Sequence, residues 1–535
     1  MTLPPPSALL GLPKFPSWYP GQESVFSASL SWLNTGPERF LGLSCPTGSG
    51  KSLTAALLAH VSGARTVILT ATKALQEQYL DSFRGLGLVS VKGQNNFQCH
   101  LHTFLRADEG PCHEGLPCPV KSQCAYRLQL QAALDSDFVI TNYAYWMAQV
   151  NYASGLGDSA LLVCDESHLA FQSMENSLTI FLSKLDAESL GVFFPSITDQ
   201  WAVWQLWAGD SSPVVGSLVI EYESSIKDLR SRNQPVPGHL SRSYRAAKSV
   251  FSRLQNMSTA HGDWVIQTAR HGFQFTPKWV AGYSASLFHD VPKVLLMSAI
   301  LSPRTLDIVG VPKEPEHRKW IEVGSHFPPQ NTPIWHIPTV RVNYRTDDYG
   351  AILWLSRLDQ IIQRRLDRKG IIFTVSYGRR DFVLDRSRFA SLMVTHSTQN
   401  VVEGVERFKK MDPPAILVSP SVTTGFDFPG NGQPQYIVIG KVPYVDTKDP
   451  VTQARHGDDK EWTSYLAMET LVQGCGRMSR SASDMTECFL IDDSILWFMR
   501  LYSKFAPAWF RARYRGSLMS VPDAIFPVRS VAEVM

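Results

Sequence analysis

The sequence predicts an α/β protein with two sheet-bearing lobes, the first of them interrupted by inserts, and three observations predict it. A glycine-rich loop, Cys45-Pro-Thr-Gly-Ser-Gly-Lys-Ser52, stands between a strand-like run at Arg39–Ser44 and a helix-like run at Thr54–Val61. Short aliphatic runs that suit buried parallel strands recur at Val67–Thr70, Phe138–Thr141, Leu161–Cys164 and Val294–Ser298. A second series begins near Trp335, with runs at Gly370–Thr374, Ala415–Ser419, Tyr436–Ile439 and Cys488–Ile491.

Bulk properties narrow the classes. A chain of 535 residues exceeds what one hydrophobic core serves, so three or more lobes are expected. With 44% hydrophobic and 19% charged residues the balance is that of a globular protein, which excludes a disordered chain. A net charge of +3 means that any nucleic-acid track is a local basic groove and not a property of the whole surface. The start, Met1-Thr-Leu-Pro-Pro-Pro, lacks the basic region and apolar core of a secretory signal, and no apolar run is long enough to cross a bilayer. A cytosolic protein without a membrane partner is therefore expected, and its eight cysteines are not read as a disulfide framework.

Between the two strand series, residues 171–282 change character, with helical periodicity, several tryptophans and a breaker at Pro235-Val-Pro-Gly. This stretch is read as an inserted, mainly helical lobe. Trp201, Trp204 and Trp207 fall on one helix side and are read as lobe core in preference to a stacking surface. The charged run Arg364-Arg365-Leu-Asp-Arg368-Lys369 is read as a solvated helix face.

The glycine loop carries the chemistry of ATP binding. Backbone amides from Gly48 to Lys51, in the loop that Pro46, Thr47, Ser49 and Gly50 shape around the nucleotide, can wrap phosphates, Lys51 can reach the β and γ phosphates, and the Ser52 hydroxyl can ligate Mg²⁺. Cys45 holds the first loop position, where glycine or alanine is usual, and affects packing more than phosphate contacts. Asp165-Glu166-Ser167-His168 follows a buried strand, so its carboxylates emerge at the sheet's ligand-binding end. Asp165 is suited to hold Mg²⁺ and Glu166 to orient and deprotonate the attacking water. Far downstream, Gln473-Gly-Cys-Gly-Arg477-Met-Ser-Arg480 offers two arginines three apart, one helix face of positive charge for a γ phosphate in transit. Arg480 is the expected finger, with Arg477 beside it. An arginine supplied by the other lobe would tie hydrolysis to closure and product release to opening.

Four further cysteines, Cys99-x12-Cys112-x5-Cys118-x5-Cys124, lie between the loop and the acidic box. Four thiolates suit a [4Fe–4S] cluster or a tetrahedral zinc ion, and the spacing matches neither zinc knuckles nor ferredoxins, so spacing alone leaves both open. His100, His102 and His113 lie close by and could serve zinc. A polar stretch with so few apolar residues needs some staple to fold.

At these residues the chain resembles the XPD/DinG branch of superfamily 2 helicases, along most of its length. Tyr19-Pro-Gly-Gln22 resembles the adenine-reading motif, with Gln22 as the amide. Thr70-Ala-Thr72-Lys73 falls at the first strand-gripping motif, and Thr141-Asn142-Tyr143 resembles a segment usual before the acidic box. Ser298-Ala299-Ile300 corresponds to the family's Ser-Ala-Thr motif, which links hydrolysis to DNA grip, but Ile300 has no hydroxyl. Thr374-Val-Ser376-Tyr377 and Thr424-Gly425-Phe426-Asp427-Phe-Pro-Gly resemble later motifs of the second lobe, which puts Gly425 and Asp427 beside the nucleotide.

The resemblance implies two RecA-like motor domains with an iron–sulfur insert and a helical arch-like insert in the first. It divides the chain into motor domain 1 at 1–92, 127–170 and 283–330, a cluster insert at 93–126, an arch at 171–282 and motor domain 2 at 331–535. It also implies a [4Fe–4S] cluster on Cys99, Cys112, Cys118 and Cys124, and a monomeric motor moving 5′ to 3′ on single-stranded DNA. Such a motor would unwind tailed duplexes, R-loops or D-loops in repair, recombination or replication. The candidate track comprises Lys73, Arg379, Arg380 and Arg511-Ala-Arg-Tyr-Arg515, with Tyr143 and Tyr377 as stacking platforms. Two rival readings stand beside it: a DNA-stimulated ATPase clamp that does not unwind, which Ile300 favours, and a zinc-stapled nucleotide-dependent binding module.

Overall fold

The computed structural model describes residues 3–110, 112, 118–232, 234, 236–325, 327–421, 428, 433–476 and 484–526. Gly425, Asp427, Arg477, Arg480 and His113 lie outside the described residues.

Two seven-stranded sheets, all of whose pairings are parallel, form the two lobes. In the first, strands lie in the order Arg318–Glu322, Phe40–Ser44, Lys293–Ser298, Leu161–Asp165, Thr66–Thr70, Phe138–Asn142 and Val89–Ser90. In the second the order is Met393–Val394, Ala415–Ser419, Lys369–Phe373, Tyr436–Ile439, Glu487–Leu490, Ile334–His336 and Tyr514–Ser517. Central strands such as Thr66–Thr70 and Ala415–Ser419 are buried along their whole length, because crossover helices cover both faces. That double cover is why they read as unbroken aliphatic runs in the sequence.

The inserted stretch is helical at its centre and also contains a sheet. Helices Trp201–Ser231 and Gly238–Thr259 pack on each other, and Ile180–Ser183, Gly272–Pro277 and Trp264–Ala269 form an antiparallel three-stranded sheet beneath them. Trp204 is fully buried against Phe194, Trp207 and Phe275, and Trp201 stacks on Trp264, so the indole stripe is lobe core.

The charged run of the second lobe departs from expectation. Arg365, Arg368 and Lys369 are buried and not solvated. Glu487, on a strand remote in sequence, meets the Arg365 guanidinium with two bonds of 2.8 and 2.9 Å, and Lys369 Nζ donates to the carbonyls of Phe408 and Lys409. A partner supplied from so far along the chain leaves no local signature.

Helix Trp462–Cys475 joins the lobes. Its first turns, Trp462 and Tyr465, sit in the first lobe's core, while Met468, Leu471, Val472 and Cys475 belong to the second lobe's core. Around it the seam is lined by polar contacts: Arg304 with Asp459, Glu175 with Arg455, Lys278 with Asp458 at 2.7 Å, and Thr305 Oγ1 with the Tyr465 hydroxyl at 2.8 Å. No helix among the described residues is long and apolar enough to cross a membrane.

Candidate nucleotide site and its neighbours

Strand Phe40–Ser44 delivers the chain into the glycine loop, and helix Lys51–Ser62 carries it away. Gly48 and Gly50 both have φ of 79°, a left-handed conformation that other residues adopt only with strain, and this bend turns successive amides to one side. Lys51 lies back across the loop, its amine 3.4 and 3.5 Å from the carbonyl oxygens of Cys45 and Pro46. Burial pushes the Cys45 thiol up to about 11, so this unusual first residue stays neutral and acts by packing. Gln22, nearly fully buried, donates from Nε2 to the Gly50 carbonyl at 3.2 Å, which sets its amide against the loop.

Asp165 ends its strand buried at the sheet edge. Tyr79 donates its hydroxyl hydrogen to Asp165 Oδ2 at 2.8 Å, and the Glu166 amide donates to Oδ1 at 2.8 Å. Burial first, and the Glu166 charge second, raise the Asp165 carboxyl to about 6 despite Lys51 nearby. Two neighbouring carboxylates favour a cation, and the Ser52 hydroxyl, near enough to Tyr79 to act on its phenol, adds to a hard oxygen set. Mg²⁺ fits that donor set. Glu166 itself has φ of 48°, a strained backbone for a non-glycine residue, and its side chain is partly exposed toward the seam.

Tyr79 gave no signal in the sequence, since one tyrosine in an amphipathic helix looks like core. Its hydroxyl orients the Asp165 carboxylate, and partners of this kind are worth about 10- to 100-fold in metal affinity. Tyr79→Phe is therefore expected to raise the Mg²⁺ concentration for half-maximal ATP turnover by about tenfold or more. A titration of turnover against Mg²⁺ at fixed ATP checks it, and an unchanged midpoint would remove Tyr79 from the site.

A chain of polar contacts leaves Glu166 and crosses the seam. Ser298 Oγ donates to Glu166 Oε2 at 3.4 Å, His168 Nδ1 meets Ser298 Oγ at 2.7 Å, and the Gln473 amide meets His168 Nε2. Gln473 belongs to the second lobe and the other three to the first. The Ser298 hydroxyl stands within this chain of contacts, and Ile300, buried with Ala299, packs into the second lobe's apolar core.

Matching turns follow one strand of each lobe, Thr66–Thr70 in the first and Lys369–Phe373 in the second. Thr70 Oγ1 donates to the Thr72 carbonyl at 3.1 Å, and the Thr72 side chain caps helix Lys73–Ser82 by accepting from the Leu75 amide. Thr374 Oγ1 likewise donates to the Ser376 carbonyl at 3.1 Å, and Ser376 caps helix Tyr377–Arg386 through the Arg379 amide. Val375 at the centre of the second turn has φ of 65°, a marked strain for a β-branched residue.

The track candidates differ in their surroundings. Tyr143 is no stacking platform: its ring is buried and its hydroxyl donates to the Asp165 carbonyl at 2.9 Å. Arg379 lies over Trp354 at 5.1 Å, Arg380 pairs with Asp381 and covers Tyr377 at 4.8 Å, and Lys73 bonds Asn96. Arg511 and Arg515 are exposed, whereas Arg513 between them is buried.

Cys99 is buried, and Cys112, Cys118 and Cys124 are half-buried free thiols. A Cβ built on Gly110 would stand 3.1 Å from Cys99 Sγ and 3.8 Å from Cys112 Sγ, so those two thiols flank one point. Burial, then the charges of Cys118, Cys124 and Cys99, raises the Cys112 thiol, which brings all four within electrostatic reach. Among the described residues no group of three or more His, Cys, Asp or Glu side chains stands close enough to hold one metal ion.

Comparison with known proteins gives concordant matches. The family described as "Helicase C-terminal domain" matches residues 361–513, and "Type III restriction enzyme, res subunit" matches residues 16–188. The ATP-dependent DNA helicase YoaA of Haemophilus influenzae is 22% identical over 455 residues, 73% of this chain and 69% of that protein. Among solved structures, an XPD helicase superposes with a TM-score of 0.60 at 15% identity, covering 94% of this chain and 100% of that one. The structure of S. tokodaii Xpd4 does so at 0.57 and 15%, with the same coverage. At such identities these likenesses concern the fold, two RecA-like domains.

Proposed function

We propose that the chain is an XPD/DinG-like superfamily 2 helicase, an ATP-driven motor that moves 5′ to 3′ along single-stranded DNA and unwinds tailed duplexes, R-loops or D-loops, a reading that the family-model matches, the YoaA likeness and the XPD-like fold support. The observation that carries this is the contact chain from Glu166 through Ser298 and His168 to Gln473, which ties the water-activating carboxylate to the opposite lobe. Hydrolysis then changes the charge at one end of a bridge whose other end belongs to a separate body. The glycine loop, Lys51 and Gln22 bind ATP, Ser52 and Asp165 hold Mg²⁺, and Glu166 takes the proton of the attacking water. Mg²⁺, when bound, neutralises charge on the β and γ oxygens. Gly425, Asp427, Arg477 and Arg480 complete the site from the second lobe, with Arg480 as the finger.

The paired Thr-x-Thr and Thr-x-Ser turns support the choice of a nucleic-acid track. Each leads into a helix N-terminus, where amides and the helix dipole suit a phosphate backbone and read no sequence. Two such grips on separable lobes allow stepping. The motor lobes comprise 1–92, 127–170 with 283–330, and 331–535, with the cysteine insert at 93–126 and the arch at 171–282.

Cys99, Cys112, Cys118 and Cys124 hold a [4Fe–4S] cluster in this reading. Four thiols within electrostatic reach of one another supply the four thiolates that such a cluster takes, and the family resemblance selects it over zinc. The wild-type protein purified without oxygen is expected to contain about four irons and about four acid-labile sulfides per chain. Cys118→Ser is expected to lose them together with strand displacement on a 5′-tailed duplex, while keeping basal ATP turnover. Full unwinding by an iron-free variant would contradict the role of the insert. Ile300 favours a second reading, a clamp that hydrolyses ATP on DNA without unwinding; the same displacement assay on wild type, with Lys51→Ala as its control, separates the two.

A further inference from the structure

Arg513 lies in the basic segment read from the sequence as a candidate track, yet it is 2% exposed at the seam between the lobes. It ends helix Ala508–Arg513 of the second lobe. Its guanidinium lies over Trp509 at 4.8 Å, and Nη2 donates to Ser325 Oγ at 3.3 Å. Nε has no partner, and no Asp or Glu among the described residues pairs with it. Burial lowers its pKa to about 10, with no carboxylate to counter the effect. A buried cation is costly unless an anion meets it, and here the protein provides none among the described residues.

What the side chain faces is the glycine loop. Arg513 lines a small void with Pro46, Thr47, Gly476 and Trp509. A Cβ on Gly476 would lie 3.7 Å from Thr47 Oγ1 and 3.7 Å from the Trp509 ring, so the two lobes meet at this point. Lys51 Nζ rests against the Cys45 and Pro46 carbonyls, so the loop's Pro46–Thr47 edge is the side from which Lys51 reaches the β and γ phosphates.

We propose that Arg513 is a catalytic arginine that contacts the terminal phosphate of bound ATP from the second lobe, in addition to Arg477 and Arg480. The inference rests on the ATP-motor reading. The unused Nε edge of the guanidinium donates to γ-phosphate oxygens, and the anion supplies the partner that the buried cation lacks. Stacking on Trp509 fixes the plane of the fork before nucleotide arrives. ADP has no γ phosphate and leaves Arg513 unpaired, so this residue discriminates the two nucleotides.

The test is equilibrium titration of the full chain, with Mg²⁺ present, against fluorescent ADP and a fluorescent non-hydrolysable ATP analogue. Wild type is expected to bind both. Arg513→Met, which keeps the stem over Trp509, is expected to weaken the ATP analogue by about 10- to 100-fold and to leave ADP within about twofold. Arg513→Lys keeps the charge without the fork and is expected to fall between, again with ADP unchanged, and it serves if the methionine variant does not fold. Equal loss for both nucleotides, as a purely structural residue would give, or no loss for either, overturns the proposal. Failure of wild type to bind either nucleotide overturns the ATP-motor reading beneath it.

Discussion

Glu166→Gln is expected to lower ATP turnover by about 10²- to 10⁴-fold, the range found when a general base is removed, with nucleotide affinity nearly unchanged. Glutamine keeps the shape and can still accept from Ser298 Oγ, so the chain of contacts to His168 and Gln473 stays in place. What it loses is the ability to take a proton. It also removes the charge that contributes to the raised Asp165 carboxyl, so Asp165 should ionise more readily and hold Mg²⁺ at least as well. The variant should therefore trap ATP with the lobes bridged. Phosphate release measured with nucleotide titration decides it: a loss of affinity equal to the loss of turnover would make Glu166 a binding residue instead.

Glu487→Gln is expected to cost about 3–5 kcal/mol of second-lobe stability. Both side chains of the Arg365–Glu487 pair are fully buried, and two bonds of 2.8 and 2.9 Å join them. Glutamine leaves the guanidinium with one neutral acceptor where it had a carboxylate, so a buried charge is stranded. For a lobe of this size that corresponds to a melting point lower by about 10 °C. Replacing both partners, Arg365→Met with Glu487→Leu, strands nothing and is expected to recover most of the loss. Thermal unfolding of the single and double variants checks both statements, and equal destabilisation in the two would show that shape rather than stranded charge sets the cost.

Much of the motor was legible because its signals are local. The glycine loop, the acidic box and the buried strands are runs of adjacent residues whose spacing follows from hydrogen-bond geometry and parallel pairing. Edge strands such as Arg318–Glu322 and Tyr514–Ser517 were missed because they are polar and only partly buried. Residues whose roles depend on distant partners were misread in one direction. Arg365 looked solvated until Glu487 met it, Tyr143 looked like a platform until its hydroxyl met the Asp165 carbonyl, and Arg513 looked like part of a basic patch until the seam closed over it. Tyr79 was invisible for the same reason, since its partner Asp165 lies on another element. Ile300 bears no hydroxyl, and the contacts of the neighbouring Ser298 with Glu166 and His168 became visible only once separate elements were brought together.

The central claim is that ATP chemistry at the glycine loop is mechanically joined to a nucleic-acid strand held across both lobes. Steady-state phosphate release by the anaerobically purified wild-type protein, with and without a single-stranded DNA oligonucleotide, tests it most directly. Turnover is expected to rise severalfold with the oligonucleotide and to vanish in Lys51→Ala under both conditions; turnover indifferent to the strand would contradict the account.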